Sequence, residues 1–426
     1  MQKSDSRYSS YLRILQEELI PAMGCTEPIA IAYGAAKARE VLGQRPDRVL
    51  VEASGNIIKN VKSVVVPNTG GLRGIEAAAA AGIVAGHPEL VLEVISQVTE
   101  AERAEIREYL NCTEIQAKGA DTELVFDLIL TLWKGEDHVR LRIANYHTNI
   151  VLVEKNGEVL YEMPVESDCG DNPLDYGMMN VWDILDFAET VDIEDVREVI
   201  SRQISYNMAI SEEGMQGDYG ANIGRVLSQT YGVSDVVTRA KAAAAAGSDA
   251  RMSGCELPVV INSGSGNQGI TVSVPVVIYA QELGVSNDKL YRALVLSNLL
   301  AIHQKAGIGR LSAYCGAVSA GAAAGAGIAY LNGGTYPEII HTLVNALAIT
   351  SGMICDGAKP SCAAKIATAV DAGIMGFHMY QEGQQFYGGD GIVSKGVEAT
   401  LANVGRLGRD GMRATDQEII RIMTNS

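Results

Sequence analysis

The sequence predicts an α+β fold: a mixed α/β N-terminal domain, residues 1–170, followed by a mainly helical, Ala- and Gly-rich C-terminal domain, residues 171–426. Up to about residue 165, segments with helical apolar spacing are interspersed with segments that alternate apolar and polar residues, clearest in HVRLRI and TNIVLVEKNGEVLYEM. After the Gly-, Asp- and Pro-containing stretch ESDCGDNPLDYG, this alternation almost disappears. Long Ala-, Gly- and Leu-rich segments replace it, and such small side chains allow helices to pack closely.

The individual N-terminal elements follow from local patterns. Residues 8–20 have apolar side chains at helical spacing until Pro21 ends the segment. After this helix we expect a second helix from about Pro28 to Leu42, two short strands around a Gly-Asn turn in DRVLVEASGNIIKNVKSVVVP, an alanine-rich helix after NTGG, an amphipathic helix over residues 91–110 and a strand-rich stretch over residues 113–163. From residue 175 onward we expect mainly helices.

Composition and charge limit the partners of the chain. Its 426 residues carry a formal net charge of −17, which repels nucleic acid backbones and anionic membrane surfaces. The N-terminus lacks a secretory pattern and no stretch reads as a membrane span, so we expect a cytoplasmic protein with reduced thiols. The seven cysteines are therefore not read as a disulfide framework. A homodimer is expected only because dimers are the commonest oligomers.

Three cysteines have a spacing that suits a metal or cluster. Cys355 and Cys362 flank the loop DGAKPS, and Cys315 lies in RLSAYCGAVSAG. A short loop can bring two thiols to one ion or cluster, and a third thiol can reach it from another helix. Three ligands leave one position open for Lewis-acid chemistry. From the spacing alone, three buried cysteines without a metal remain an alternative.

Cys25 stands at the start of a helix in PAMGCTEPIAIAYGAAKAREVLG. Thr26 can cap this helix, and Glu27 and Pro28 suit its first turn. Unpaired backbone N–H groups and the helix dipole favour a thiolate at such a position. We therefore interpret Cys25 as a candidate general base or acid, with a buried structural cysteine as the alternative.

Four segments, PAMGCTEPIAIA, INSGSGNQGI, IGRLSAYCGAVSAGAAAG and SGMICDGAKPSC, resemble the L-cysteine desulfidase family, which is related to the α-chain of iron–sulfur L-serine dehydratases. The resemblance covers essentially the whole chain. It implies a [4Fe–4S] cluster held by Cys315, Cys355 and Cys362, with the fourth iron open to substrate, and a catalytic role for Cys25. It also implies α,β-elimination of L-cysteine to hydrogen sulfide, ammonia and pyruvate.

Two departures count against serine as the substrate. In the dehydratase branch the loop that carries the second and third ligands is longer and begins CDP, whereas here it is CDGAKPSC. The segment after the first ligand contains an acidic residue in that branch, whereas here it is CGAVSAGAAAG. An L-serine dehydratase-like ammonia-lyase remains the alternative enzyme. A non-catalytic protein that binds a cluster or zinc is the alternative of another class.

A small amino-acid substrate also needs partners for its carboxylate and amine. Gly-rich turns that open helices supply backbone N–H donors for anions. His303, upstream of Cys315, is a second-tier candidate. The substrate-binding candidates in the two turns PNTGG and NSGSGNQG are Asn68, Thr69 and Gly70 in the first and Ser263, Gly264, Ser265, Gly266 and Asn267 in the second.

Overall fold

The computed structural model describes residues 1–165, 176–309 and 311–424. Its helices are α1 Ser6–Glu18, α2 Thr26–Leu42, α3 Gly55–Val61, α4 Gly74–Ala85, α5 Glu100–Cys112, α6 Val181–Thr190, α7 Ile193–Gln216, α8 Ile223–Tyr231, α9 Val236–Met252, α10 Gly266–Leu283, α11 Asn287–Ile308, α12 Gly316–Leu331, α13 Tyr336–Thr350, α14 Ser361–Gln381, α15 Val397–Arg406 and α16 Arg413–Thr424. Its strands are β1 Pro21–Met23, β2 Arg48–Ala53, β3 Glu114–Gly119, β4 Asp127–Lys134, β5 Asp137–Ala144, β6 Ile150–Lys155, β7 Glu158–Glu162 and β8 Pro258–Val260. The predicted α+β fold class is confirmed.

The N-terminal part is a sheet covered by helices. Within the described residues this sheet has the strand order β3-β2-β4-β5-β6-β7, in which β2 and β3 are parallel and the other neighbours antiparallel. Helix α2 lies directly on the sheet, because a Cβ at Gly34 would come within 2.6 Å of Leu130. Helix α4 packs on α2 equally closely, through Gly82 against the backbone of Ala32. The sheet therefore holds α2, the helix that begins after Cys25.

Two of the expected N-terminal elements are different in the structure. The second strand predicted in DRVLVEASGNIIKNVKSVVVP is wrong: Gly55–Val61 is helix α3, whose buried Ile57 and Val61 lie four residues apart on one face. The β-branched side chains suggested a strand, but burial against neighbouring elements outweighs that preference. The helix expected over residues 91–110 begins only at Glu100, after a 3₁₀ turn over Pro88–Glu93.

The two predicted domains pack against each other through both chain termini. Tyr11 of α1 stacks on Phe187 of α6, so the N-terminal helix belongs to the helical part. At the other end Asp416 of α16 pairs with Lys59 of α3, so the C-terminal helix covers the sheet part. Strands β1 and β8 pair antiparallel between the two parts. The predicted boundary at residues 170/171 lies outside the described residues and stays a prediction.

The helical part is built on backbone contacts between small residues. A Cβ at Gly373 of α14 would lie 2.1 Å from the carbonyl oxygen of Gly321, and one at Gly325 of α12 would lie 2.4 Å from that of Gly373. A Cβ at Gly321 would likewise touch the backbone of Ala369. Residues further along α12 meet residues further along α14, so the two helices run parallel and their N-termini lie side by side. Of the helices in the described ranges, none combines the length and apolar character needed to cross a membrane.

We predict that Gly373→Ala destabilises the protein by about 1–3 kcal/mol, because the added methyl group forces α12 and α14 apart. Gly307→Ala is the matched control: it also lies in a helix, and its added methyl group would have its nearest neighbour 3.7 Å away. This control should be neutral or up to about 1 kcal/mol stabilising. Urea denaturation measures both variants, and equal stability of the two would contradict the close contact.

Candidate active site

A cavity of about 110 Å³ lies where the sheet part meets the helical part. It is lined by the three cysteines of the predicted metal site, by Cys25 and by charged or polar side chains from both halves of the chain. These are Cys25, Glu27, Lys59, Asn60, His147, Arg251, Gln268, Lys305, Cys315, Cys355 and Cys362. Residues more than 330 positions apart in the sequence thus line one cavity.

Cys315 and Cys355 are brought together by a short antiparallel pairing. Tyr314 and Ile354 form an isolated β-bridge, with the Cys315 N–H donating to Met353 O at 3.0 Å and the Cys355 N–H to Ala313 O at 2.6 Å. Cys315 is also the N-cap residue of α12. The two thiols are therefore fixed by backbone hydrogen bonds on adjacent segments.

Cys362 reaches the same cavity from the first turn of α14. The parallel packing of α12 and α14 places this turn beside Cys315. The loop between Cys355 and Cys362 is held by Asp356, whose carboxylate pairs with Lys359 and Lys365. Lys365 also donates to Ile354 O at 2.9 Å. The conformation of the loop between Cys355 and Cys362 is thus fixed by ion pairs as well as by the start of α14.

The thiols of this group interact electrostatically. Burial raises the pKa of Cys315 to about 12, and the neighbouring Cys355 and Cys362 add to the effect. Burial and Cys355 likewise raise the pKa of Cys362. Cys315 and Cys362 therefore resist ionisation, and a cation placed beside them would favour their thiolates.

The three cysteines suit a cluster. Among the residues described, no group of three or more His, Cys, Asp or Glu side chains converges in the way that a single metal ion requires. In an iron–sulfur cluster each thiolate binds its own iron, so the sulfurs surround a shared space. Cys315, Cys355 and Cys362 are partly buried and line one cavity, and this donor set is compatible with such a cluster.

Cys25 faces the same cavity from the N-terminus of α2. Its side chain is 3% exposed and belongs to a small apolar cluster with Val64 and Met252, against which Cys362 packs. Its thiol donates to Glu27 Oε2 at 3.1 Å, and the Asn60 amide donates to Glu27 Oε1 at 2.7 Å. Cys25 therefore lies beside the three-cysteine group and is paired with a carboxylate.

The charge state of Cys25 differs from the helix-dipole expectation. Burial and the Glu27 carboxylate raise the pKa of Cys25 well above its ordinary value, against the lowering effect of Arg251. Burial alone would raise the pKa of Glu27, but His147 and the hydrogen bonds from Cys25 and Asn60 hold it below its ordinary value. The resting pair is a neutral thiol and an ionised carboxylate.

The expected cap at the start of α2 is also different. Cys25 itself occupies the N-cap position without a side-chain capping bond, and Thr26 does not cap. The Thr26 hydroxyl instead donates to Gly264 O at 3.0 Å. This bond joins the GCTEP segment, which follows β1, to the NSGSGNQG turn, which follows β8.

The NSGSGNQG turn lines the cavity with Ser263, Gly264, Ser265 and Asn267, and the predicted contact of this turn with substrate stays a prediction. Ser263 has a φ of +49°, a strained value for a residue with a side chain. Its hydroxyl bonds Asn262 Oδ1, and the Asn262 amide bonds Asn298 in a fully buried network. That network holds the turn in its strained shape.

The PNTGG turn lies outside the residues that line the cavity. The Asn68 amide donates to Ile95 O and the Thr69 hydroxyl to Val66 O, so both polar groups are used inside their own region. Gly70 accepts a bond from Arg107. A Cβ at Gly24 would collide with Pro67, so this turn packs against the segment that carries Cys25. It therefore supports the site without lining the cavity.

His303 is likewise not among the lining residues. Its ring bonds Glu398 Oε2 at 2.8 Å, which turns it toward α15. His303 was a candidate because it lies upstream of Cys315 in the sequence. Residues two positions apart on a helix point in different directions, and on α11 it is Lys305 that lines the cavity.

Several lining residues were missed from the sequence. The sequence predicts only a first-turn position for Glu27, and Asn60 lies in the segment predicted to be a strand. Arg251 and Gln268 carried one usable signal: each is a polar side chain in a segment of small and apolar residues, where burial requires a partner.

Comparison with known proteins places the chain in a family. A UPF0597 protein of Desulfitobacterium hafniense (strain Y51) is 62% identical over 426 residues, covering 100% of this chain and 99% of the relative. A UPF0597 protein of Lachnoclostridium phytofermentans is 52% identical, covering 98% of this chain and 100% of the relative. A UPF0597 protein of Treponema denticola is 48% identical, covering 99% of this chain and 99% of the relative. The family model described as serine dehydratase alpha chain matches residues 89–421. The chain therefore belongs to the serine dehydratase alpha chain family.

Proposed function

We propose that this protein is a [4Fe–4S]-dependent L-cysteine desulfidase, which eliminates hydrogen sulfide from L-cysteine. Membership of the serine dehydratase alpha chain family indicates a lyase of the ammonia-lyase type. The observation that carries the finer proposal is that Cys25, paired with Glu27, shares one cavity with Cys315, Cys355 and Cys362. A proton-transfer pair and an open-site cluster are the two components that this elimination needs.

In this proposal Cys315, Cys355 and Cys362 hold the cluster. When bound, the cluster supplies a Lewis-acidic iron without a protein ligand, on which a soft sulfur leaving group is favoured. The chain's own residues hold the three thiols partly buried at the cavity. Lys365, whose pKa is raised by Asp356 and the nearby thiols although burial alone would lower it, contributes a positive charge beside them.

Cys25 and Glu27 supply the proton transfer at the α-carbon. The resting pair holds one proton on Sγ, and Glu27 is free to accept another. As Sγ takes the α-proton of the substrate, the thiol proton moves to Glu27 Oε2 across the 3.1 Å hydrogen bond. The pair thereby acts as a base although the thiol itself has a raised pKa. Asn60 orients Glu27 through the second carboxylate oxygen.

The reaction is balanced by one water molecule. Removal of the α-proton and departure of the sulfur leave 2-aminoacrylate and hydrogen sulfide. The imine tautomer of 2-aminoacrylate then takes up water and gives pyruvate and ammonia. Cys25 and Glu27 return to their resting protonation state when the accepted proton leaves with the products.

Loss of one cluster ligand should remove both colour and turnover. We predict that anaerobically purified protein is brown, absorbs near ~400 nm and carries about four irons and four sulfides per chain. Cys355→Ser should lose most of this iron. Cys112→Ser is the matched control, since Cys112 is exposed and lies outside the cavity. A colourless wild-type protein with one zinc would support the non-catalytic alternative.

Removal of the Cys25 thiol should abolish turnover without loss of the cluster. We predict that Cys25→Ala and Glu27→Gln each lower kcat by about 10²- to 10⁴-fold, because each interrupts the same proton transfer. The double variant should be little worse than either single variant. Iron content and absorbance are the controls. Near-normal sulfide release by brown Cys25→Ala would exclude this role.

Substrate preference separates the two enzyme alternatives. We predict a kcat/KM for L-cysteine about tenfold or more above that for L-serine, since sulfur is the softer ligand and the better leaving group. Pyruvate formation on reconstituted enzyme measures both reactions in one assay. Faster turnover of L-serine would assign the protein to the dehydratase alternative.

A further inference from the structure

Arg251 is a buried cation without a partner. It lies in the last turn of α9, is 3% exposed and lines the cavity beside Cys25. Its Nε has no hydrogen-bond acceptor, and no ion pair or hydrogen bond of its guanidinium occurs among the described residues. A buried charge without a partner is strongly unfavourable, so residues of this kind are retained where a ligand supplies the opposite charge.

The neighbouring charges do not satisfy Arg251. Glu27 uses its carboxylate oxygens for Cys25, Thr26 and Asn60. Lys59, another cation of the cavity, is already paired with Asp416. Among these groups, Arg251 is the one positioned to receive an anion that enters the cavity.

The N-terminus of α10 lies beside Arg251 and also favours the binding of an anion. A Cβ at Gly266 would lie 2.3 Å from Arg251 Nε, so the guanidinium rests against the first residue of α10. The N-terminus of an α-helix presents free N–H groups and a partial positive charge. The guanidinium and the start of α10 therefore act on the same region of the cavity.

Gln268 provides a complementary acceptor one half-turn further along α10. Its Oε1 is buried and has no hydrogen-bond partner among the described residues. The amide lies against Gly316, where a Cβ would come within 2.6 Å of it, and Gly316 directly follows Cys315. Gln268 thus stands between Arg251 and the three-cysteine group.

We infer that Arg251 binds the α-carboxylate of the substrate and that Gln268 accepts a hydrogen bond from its ammonium group. This inference rests on the proposed function and deepens it, because it assigns the residues that bind the carboxylate and the ammonium group of the substrate. The carboxylate lies at Arg251 and the ammonium at Gln268. The β-substituent then points toward Cys315, and Cys25 faces the α-carbon.

Binding of an unreactive amino acid tests the carboxylate assignment apart from turnover. Calorimetry on the full-length protein compares L-alanine with L-alaninamide, which lacks the carboxylate charge. We expect Arg251→Met to weaken L-alanine about 10- to 100-fold and to leave L-alaninamide nearly unchanged. Arg251→Lys should recover part of the affinity, because it restores the charge without the planar fork. Equal losses for both ligands, or none, would overturn the assignment.

Stability separates a binding role from a structural one. Arg251→Met should leave the thermal unfolding temperature unchanged or raise it, because the guanidinium has no partner to lose. Arg39→Met is the matched control: Arg39 donates to Ile83 O at 2.9 Å and to Gly86 O at 3.0 Å, so its removal should lower the temperature. A decrease for Arg251→Met as large as for Arg39→Met would show a structural arginine.

The two proposals fail in distinguishable ways. If the wild-type protein releases no sulfide from L-cysteine but binds L-alanine through Arg251, the desulfidase proposal fails and the carboxylate site stands. If sulfide is released and Arg251→Met retains wild-type affinity for L-alanine and KM for L-cysteine, the desulfidase proposal stands and the Arg251 assignment fails.

Discussion

The backbone contact between α12 and α14 is the constraint on which the rest of the site depends. Gly321, Gly325 and Gly373 leave no space for side chains, so the two helices approach until their main chains touch. Because the helices run parallel, this contact fixes the relative height of their N-termini. Cys315 and Cys362 occur at those N-termini. Glycine contacts further along the two helices thus decide where two of the three thiols meet.

The cavity concentrates groups that are costly to bury. Cys25, Glu27 and Arg251 are each less than 10% exposed, and only the first two satisfy one another by a hydrogen bond. A folded protein retains such groups when the cost is offset elsewhere, here by the apolar contacts of the packed helices. The strained Ser263 and its buried amide network belong to the same pattern. The favourable packing of small residues supports an unfavourable arrangement of charges.

Much of the fold could be predicted because it follows from local patterns of apolar and polar residues. Apolar spacing identified α1 and α2, and alternation identified the strands of residues 113–163. Segment 55–61 could not be predicted, since Ile57, Ile58 and Val61 favour a strand locally and adopt a helix only through burial against neighbours. The same limit applies to His303 and Asn68. Both are plausible substrate-binding residues in the sequence. In the structure, His303 bonds Glu398 and Asn68 bonds Ile95 O, and these contacts join distant elements.

The sequence by itself determined the α+β class, the helix-start position of Cys25 and the set of three cysteines, because these depend on residue type and short spacing. Only the tertiary structure decided that Cys25 joins those cysteines, because the pairing of β1 with β8 links segments more than 230 residues apart. It also decided the protonation of Cys25. Helix polarity alone favours a thiolate, whereas burial and the Glu27 carboxylate favour the thiol. Burial depends on the whole fold, and no local pattern specifies it.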